Sequence, residues 1–481
     1  MNVLPILALC LPAAAAPLLF LVQKRMDYRL FLGGIFAAEL ILTILIAIFG
    51  GEASLFTVGG IHFALRADTM GSFFAVLVSF LFLIAGFDGF ACLSHEKHLT
   101  EYHFFLTATL FSLIGLCYAA DLYTYYAFFE FMTFLSFPLV LQERTPDAIF
   151  ASVKYLGYSL LGAMTALFGI FCVPTFFYSA SFTSGGTLNA QAAAENPCLF
   201  LAAAFCMLFG FSCKAGLMPL HDWLPTAHPQ APAPASALLS GVITKGGVLG
   251  VIRVAYYVCG ADALRGTWVQ TVFLILSLTT VFCGSMLAYK EKLLKKRLAY
   301  STVSQVSYVL FGLFLFSPAG LTGALLQVVY HALAKGALFL CAGTVIHETG
   351  KKYVDEMDGV GISLPITMWV FTFASLSLVG IPPMGGFTSK WYLATASLET
   401  SGPLGWIGAL VLLTSALLTA GYLFPIVTHA FFPHENHPFE QHNITWYKRG
   451  PLLALCCVLI AGSIWTSGLL SVISGLAASL V

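Results

Sequence analysis

The chain has 481 residues, 59% of them hydrophobic and 9% charged, with Lys and Arg balancing Asp and Glu at 22 each and a mean hydropathy of +0.89. Soluble domains carry about 25% charged residues, so the composition excludes a soluble globular protein and predicts an all-α polytopic membrane protein. Zero net charge gives no electrostatic footprint for nucleic acid. The 12 cysteines form no CxxC pair, and Cys117, Cys172, Cys206 and Cys283 lie inside apolar runs, as small buried hydrophobes do. There is neither a GxGxxG nor a Walker loop. The chain is therefore expected to hold no flavin, haem, iron–sulfur cluster, nucleotide or metal.

A helix needs about 20 apolar residues to cross about 30 Å of hydrocarbon. On that measure about fourteen spans are predicted, at 3–22, 30–50, 68–92, 104–120, 122–142, 149–178, 197–220, 231–258, 268–288, 300–317, 320–346, 362–395, 404–431 and 451–477. The first basic residue is Lys24, so the opening stretch lacks the charged flank of a cleavable signal and should remain as a helix. One set of alternate loops holds fourteen Lys and Arg, among them Lys24, Arg25, Lys97 and the run Lys295–Arg297. The opposite loops hold only Arg66 and Arg265. That asymmetry predicts the basic loops in the cytoplasm and both termini outside.

Six basic residues fall inside spans: Lys154, Lys214, Lys245, Arg253, Lys335 and Lys390. Intramembrane charges are costly and usually face a bundle interior or a wet cavity. Three acids join them. Glu130 sits mid-span. Asp88 is near a span end, where it could reach headgroups. Glu39 is deep in FAAELILTIL and is read equally as a helix contact, a pair with a partner subunit or a functional group.

The segment 211–253 concentrates the anomaly. It carries Lys214, His221, Asp222, His228, Lys245 and Arg253, with five prolines from Pro219 to Pro234. A second interrupted segment, 371–395, holds Pro382, Pro383, Gly385 and Gly386 before Lys390. Freed backbone groups in a span need neighbours or water, so both segments should unwind, near Pro219 and near Pro382–Pro383. Two such segments point to an internal repeat around a midplane site. Helices 4–8 and 9–13 are the natural five-helix units, and an odd number forces them into inverted topology. The predicted division is 1–103 for helices 1–3, 104–258 for the first repeat, 268–431 for the second and 451–477 for the last helix. His331 and Lys335 lie four apart on one helical face. They read either as a relay between Lys245 and Lys390 or as a packing pair satisfied by Tyr330 or Ser301. The loop 429–442, with His434, His437 and His442, fits no metal-ligand spacing and reads as solvated.

The stretches KAGLMPLHDWLPTAHPQAPAPASALLSGVITKGGVLGVIR, KRLAYSTVSQVSY, HALAKGALFL and GIPPMGGFTSKW resemble the antiporter-like membrane subunits shared by respiratory complex I, membrane-bound and formate-linked hydrogenases and Mrp-type Na+/H+ antiporters. The resemblance covers roughly 65–430. It implies a fourteen-helix core, two inverted five-helix repeats, discontinuous helices 7 and 12 and a lateral polar axis. Glu130 matches the fifth-helix glutamate. Lys154, Lys214, Lys245 and Lys390 match the lysines of helices 6, 7, 8 and 12, and His331 with Lys335 matches the HxxxK of helix 11. His221 joins the path as a neighbour of the break. Lysine at 390, where some complex I subunits have glutamate, together with AHPQAPAP, resembles the hydrogenase or Mrp D-type branch.

The implied function is proton or Na+/H+ translocation within a multisubunit complex. Its partners would be other membrane subunits, homologous ones among them, and a hydrogenase-like peripheral arm. Amines out of water can load and release protons near neutrality, and the approach or withdrawal of a carboxylate switches them between states. Glu130 is expected to act so on Lys214. With no redox or nucleotide site, the driving energy must come from a partner, and enzymatic activity would belong to the assembly. The rival readings are a D-type component of an Mrp antiporter and a non-conducting structural subunit.

Overall fold

The computed structural model describes residues 3–22, 27–93, 98–400, 402–433 and 441–481. Lys24, Arg25, Lys97, His434 and His437 lie outside them. The chain opens with α1 (Leu4–Val22) and α2 (Tyr28–Phe49), and a β-hairpin follows, β1 (Gly51–Val58) against β2 (Ile61–Ala67). Next come α3 (Thr69–Cys92), α4 (Leu99–Tyr118), α5 (Leu122–Val140) and α6 (Pro146–Phe171). The seventh span is two pieces, α7 (Pro197–Ala215) and α8 (Trp223–Gln230), and α9 (Ala233–Val258) is the eighth. The second half repeats the order with α10 (Trp268–Lys290), α11 (Leu294–Phe314) and α12 (Pro318–Thr349). Its broken span is α13 (Pro365–Val379) with α14 (Gly385–Glu399), followed by α15 (Pro403–Phe431). The chain ends with α16 (Trp446–Ile464) and α17 (Thr466–Ala478).

Among the described residues, eleven of these helices are long and apolar enough to cross a membrane unaided. The other spans are α5 and α11, each diluted by polar residues, and the broken α13–α14. That gives the fourteen expected. α4 starts on the face opposite the hairpin and α10 starts on the hairpin face, so the two five-helix units are inverted. Side-chain oxygens of Asp68, Asp121, Thr145 and Ser317 accept from the first free amides of α3, α5, α6 and α12, which fixes where these helices begin. α9 and α12 form the centre, with 100% and 94% of their apolar windows buried. α15, at 33%, faces outward.

Three features depart from the sequence reading. The connection 51–67, read as a plain loop, is the hairpin, and its β2 is bridged to the α4–α5 turn through Leu65 and Ala119. The last span is not continuous, since it turns at Trp465 and α17 packs back on α12. The tenth span starts at Leu294, six residues early, because the lysines before Tyr300 are helical. Their long stems let charged heads leave the apolar layer while the backbone stays wound.

Both breaks are built alike. α7 ends at Gly216 with φ +88° and α13 ends at Gly380 with φ +86°, a left-handed conformation that favours glycine. Pro219 and Pro382–Pro383 then occupy the unwound links, as expected. The second link is tight: a Cβ on Gly386 would lie 1.8 Å from the Ser377 carbonyl oxygen. Gly386→Ala should therefore destabilise the protein by about 1–3 kcal/mol or more, because only backbone movement relieves the clash. Gly34, with nothing within 4 Å, should accept alanine almost silently. Thermal unfolding of the two variants in detergent checks this, and equal midpoints would show that the link is looser than the structure has it.

Candidate functional site

The site is a line of buried amines where helices are broken or locally widened into a π-turn. On α7, Lys214 occupies the last turn and is 1% exposed. Its Nζ donates to Thr133 Oγ1 at 2.9 Å, Tyr155 Oη at 2.7 Å and Ser159 Oγ at 3.0 Å. It also lies 4.3 Å from the centroid of the Tyr155 ring and 5.8 Å from that of Trp223, contacts that favour a desolvated cation. Tyr155 continues to Ser136 on α5 at 2.6 Å.

Glu130 is one turn before Thr133 on α5. Its Oε1 accepts from Tyr126 Oη at 2.8 Å, and its Oε2 is buried without a partner among the described residues. The expected direct contact between Glu130 and Lys214 is not made in this conformation: Lys214 is held by three hydroxyls, and Glu130 by Tyr126. Lys154, on α6, is ion-paired with Asp222 and donates to Thr226 Oγ1 at 3.0 Å. His221, in the link, is half-buried, and its Nδ1 has no partner among the described residues.

α9 carries Lys245 just after a π-helical stretch, Leu239–Ile243. The Ser240 carbonyl within that stretch accepts from Lys245 Nζ at 2.6 Å and from Thr244 Oγ1 at 3.0 Å. π-segments are frequent at functional sites. Lys245 Nζ also meets His331 Nδ1 at 2.6 Å. An ammonium can only donate, so His331 Nδ1 supplies the lone pair and the ring proton sits on Nε2. That Nε2 has no partner among the described residues. Gly247 on α9 abuts the Phe211 and Ala215 backbone and the Lys214 Cβ, so Lys214 and Lys245 lie across one helix contact.

Beyond His331 the line divides. Lys335 Nζ donates to the Leu298 carbonyl of α11 at 2.9 Å. Gln327, one turn before His331, accepts from Ser389 Oγ at 2.5 Å and donates to Gln305 Oε1 at 2.8 Å. Ser389 is the neighbour of Lys390, whose Nζ caps the broken end of α13 through the Leu378 and Val379 carbonyls at 2.5 and 3.0 Å. The hydroxyls named as possible satisfiers of His331 are engaged elsewhere. Tyr330 bonds the Gly462 carbonyl, and Ser301 bonds Tyr422.

Two acids sit differently from expectation. Asp88 is 2% exposed with Oδ1 unpartnered among the described residues, so it cannot reach headgroups: α3 faces inward there. Glu39 is 0% exposed, with both oxygens likewise unpartnered, which closes it to a partner subunit.

The sequence reading missed several residues. Asp68, the cap of α3, holds Arg253 in a two-pronged ion pair, with Nη2 to Oδ1 at 2.8 Å, beneath the Phe182 and Tyr257 rings. Asp222, Gln305, Gln327 and Ser389 were equally unassigned. Gln327 alone gave a signal, as an amide deep in an apolar helix. His228 is fully buried, stacked 4.4 Å on Phe339, with both ring nitrogens unpartnered among the described residues.

Two broken helices, an inverted repeat and a line of buried amines, most of them without a carboxylate partner, define a polytopic membrane protein of the antiporter-like fold. The chain belongs to the family described as NADH:quinone oxidoreductase/Mrp antiporter, TM, whose pattern matches residues 119–419. It is 35% identical to NADH-quinone oxidoreductase subunit N of Desulforudis audaxviator over 69% of this chain and 64% of that one. It is 28% identical to the D-type Na(+)/H(+) antiporter protein of Alkalihalophilus pseudofirmus over 96% and 93% of the two chains. Its fold superimposes on a chain of the Mrp complex from Dietzia sp. DQ12-45-1b with a TM-score of 0.86 at 23% identity, covering 100% and 98% of the chains.

Arg253 and Asp68 offer a test of which charges are structural. Arg253→Met should cost about 3–5 kcal/mol by leaving a carboxylate without its partner. Adding Asp68→Asn should recover most of that loss. Melting temperatures of the two single variants and the double check it, and a wild-type value for Arg253→Met would show that the pair is no lock.

Proposed function

We propose that this chain is the ion-translocating, antiporter-like membrane subunit of a multisubunit complex driven by redox chemistry in partner subunits. Protons, or protons exchanged for Na+, move along Glu130, Lys154, Lys214, His221, Lys245, His331, Lys335 and Lys390. The breaks at Pro219 and at Pro382 and Pro383 free the backbone that solvates them, and the two repeats, 104–258 and 268–431, each contribute half of the line. One observation carries the reading: Lys245 and His331 meet nitrogen to nitrogen at 2.6 Å in a fully buried site. A scaffold gains nothing from such a contact, whereas a relay passes a proton across it. Moving one charge against 100 mV costs about 2.3 kcal/mol, which partners must supply. The end-to-end match to a D-type antiporter protein favours a second reading, an Mrp-type assembly driven by gradients alone. Hydrogenase-like nickel–iron and iron–sulfur subunits in the purified complex support the first reading. Small membrane subunits alone support the second.

The basic-loop asymmetry supports a cell-membrane location with both termini outside. Lys292→Cys should react with an impermeant thiol reagent only from the cytoplasm, and Thr183→Cys only from outside. The reverse pattern overturns the orientation.

Lys214→Ala should abolish ion pumping or antiport in vesicles while complex content, followed by immunoblot, stays largely intact. Glu130 can take up a proton once the ammonium is gone, which limits the damage. Lys214→Arg should not restore transport, because a guanidinium does not release its proton. Near-normal transport in Lys214→Arg, or loss of the complex in Lys214→Ala, would make Lys214 a structural residue.

A further inference from the structure

On the hairpin face, a cavity of about 930 Å³ opens beneath β1 and β2. Its wall is polar and holds Glu52, His62, Arg66, Asp121 and Tyr123. The cavity is built, not incidental. Asp121 caps α5 by accepting from the Tyr123 and Thr124 amides, both at 2.9 Å. Arg66 is fixed to the Phe182 carbonyl, and His62 is held between Ser54 at 3.1 Å and Thr57 at 2.8 Å. Bridges from Leu65 to Ala119 and from Asp121 to Ser181 join hairpin, turn and loop into one rim. Burial is the largest influence on the Asp121 carboxyl and raises its pKa, while the bonds from Thr124 and Tyr123 oppose that.

Tyr123 and Ile61 line both this cavity and a second, mainly apolar space of about 430 Å³ between α5 and α6, which Tyr126 lines together with Phe63, Leu167 and Phe171. Tyr126 Oη then donates to Glu130 Oε1 at 2.8 Å. The positions 123, 126 and 130 are three and four residues apart, so they stack on one face of α5. Glu130 stands at the inner end with Oε2 buried and unpartnered among the described residues, one turn from the Thr133 hydroxyl that binds Lys214. A buried carboxylate oxygen with no partner costs about 1–3 kcal/mol or more. That cost makes sense at a point where a proton arrives.

We propose that the hairpin-roofed cavity and the Tyr123–Tyr126–Glu130 ladder form an access route by which a proton passes between the hairpin face and the buried lysine of the first repeat. The inference rests on the translocation reading above and adds a door to it. The cavity exchanges protons with bulk water. A hydronium ion entering from the cavity gives its proton to the Tyr126 oxygen as Tyr126 gives its own to Glu130, so water is released, the phenol is restored and the glutamate ends protonated. The hairpin lines the mouth, and Tyr126 carries the proton to the carboxylate.

The whole complex in vesicles tests this. Tyr126→Phe removes one oxygen and keeps the ring, and it should lower transport at least tenfold with complex content unchanged. Ser179→Cys places a thiol on the cavity wall. Its reaction with an impermeant, positively charged methanethiosulfonate from the hairpin face should lower transport at least fivefold relative to the same unreacted variant. The small neutral methyl reagent should lower it less than twofold, and the unsubstituted complex given the same treatments sets the background for native thiols. Wild-type transport in Tyr126→Phe, or full transport with the cavity wall completely labelled, overturns the route. Glu130→Gln separates the two levels. If it stops transport while the labelled cavity does not, the door is wrong and the relay stands. If Glu130→Gln transports normally, both fall.

Discussion

The structure depends on keeping ammonium groups inside an apolar bundle without giving them carboxylates. Removing an ion from water costs several kcal/mol even after relaxation. A hydrogen bond to a charged group returns about 1.5–3 kcal/mol, so three hydroxyls on Lys214 can offset a penalty of that size. Regular helices offer few free acceptors, because each carbonyl is already engaged. Irregular backbone supplies some of them: where α13 ends at Gly380 the Leu378 and Val379 carbonyls take Lys390, and in the π-stretch the Ser240 carbonyl takes Lys245 together with the Thr244 hydroxyl.

The two halves solve the same problem with different chemistry. Lys214 is held by hydroxyls, which accept and donate, so a proton leaving it has somewhere to go. Lys390 is held by carbonyls, which only accept, so its proton must leave by another side. Ser389, next to Lys390 in the chain, bonds Gln327, which bonds Gln305. The first half thus surrounds its lysine with hydroxyls and the second with backbone carbonyls, with Lys245 and His331 in contact between the two repeats.

What the residue order revealed follows from what a single position can reveal. Lysine in an apolar run, or proline beside glycine in a span, is abnormal by itself, so the breaks and the five lysines inside spans were legible. Pairings were not. Asp68 precedes a helix by one residue and looks like an ordinary cap, yet it meets Arg253 across 185 positions. Asp222 sits among prolines as a link residue would, yet it meets Lys154. The Glu130–Lys214 pair was expected from their places in one repeat, and Lys214 instead bonds Thr133, Tyr155 and Ser159. The hairpin was missed because Gly51–Ala67 alternates weakly and its register has a shift between Ser54 and Phe56. The bend at Trp465 carries no proline or glycine at the turn itself, so nothing in that run announced it.

The partners sort the charges by what each can do. Arginine does not release its proton, and Arg253, the buried arginine of α9, is locked to an acid and stacked between rings. The lysines, which can release theirs, are left with hydroxyls, carbonyls and one imidazole. Lys154 and Lys448 are the exceptions, and the acid of each reaches solvent: Asp222 is 46% and Glu348 22% exposed at the side-chain level. A carboxylate bonded to an interior ammonium would favour its charged form, and Lys214, Lys245, Lys335 and Lys390 make no such bond among the described residues. Glu130 lies one turn before Thr133, whose hydroxyl accepts from Lys214, and bonds Tyr126 instead of the ammonium.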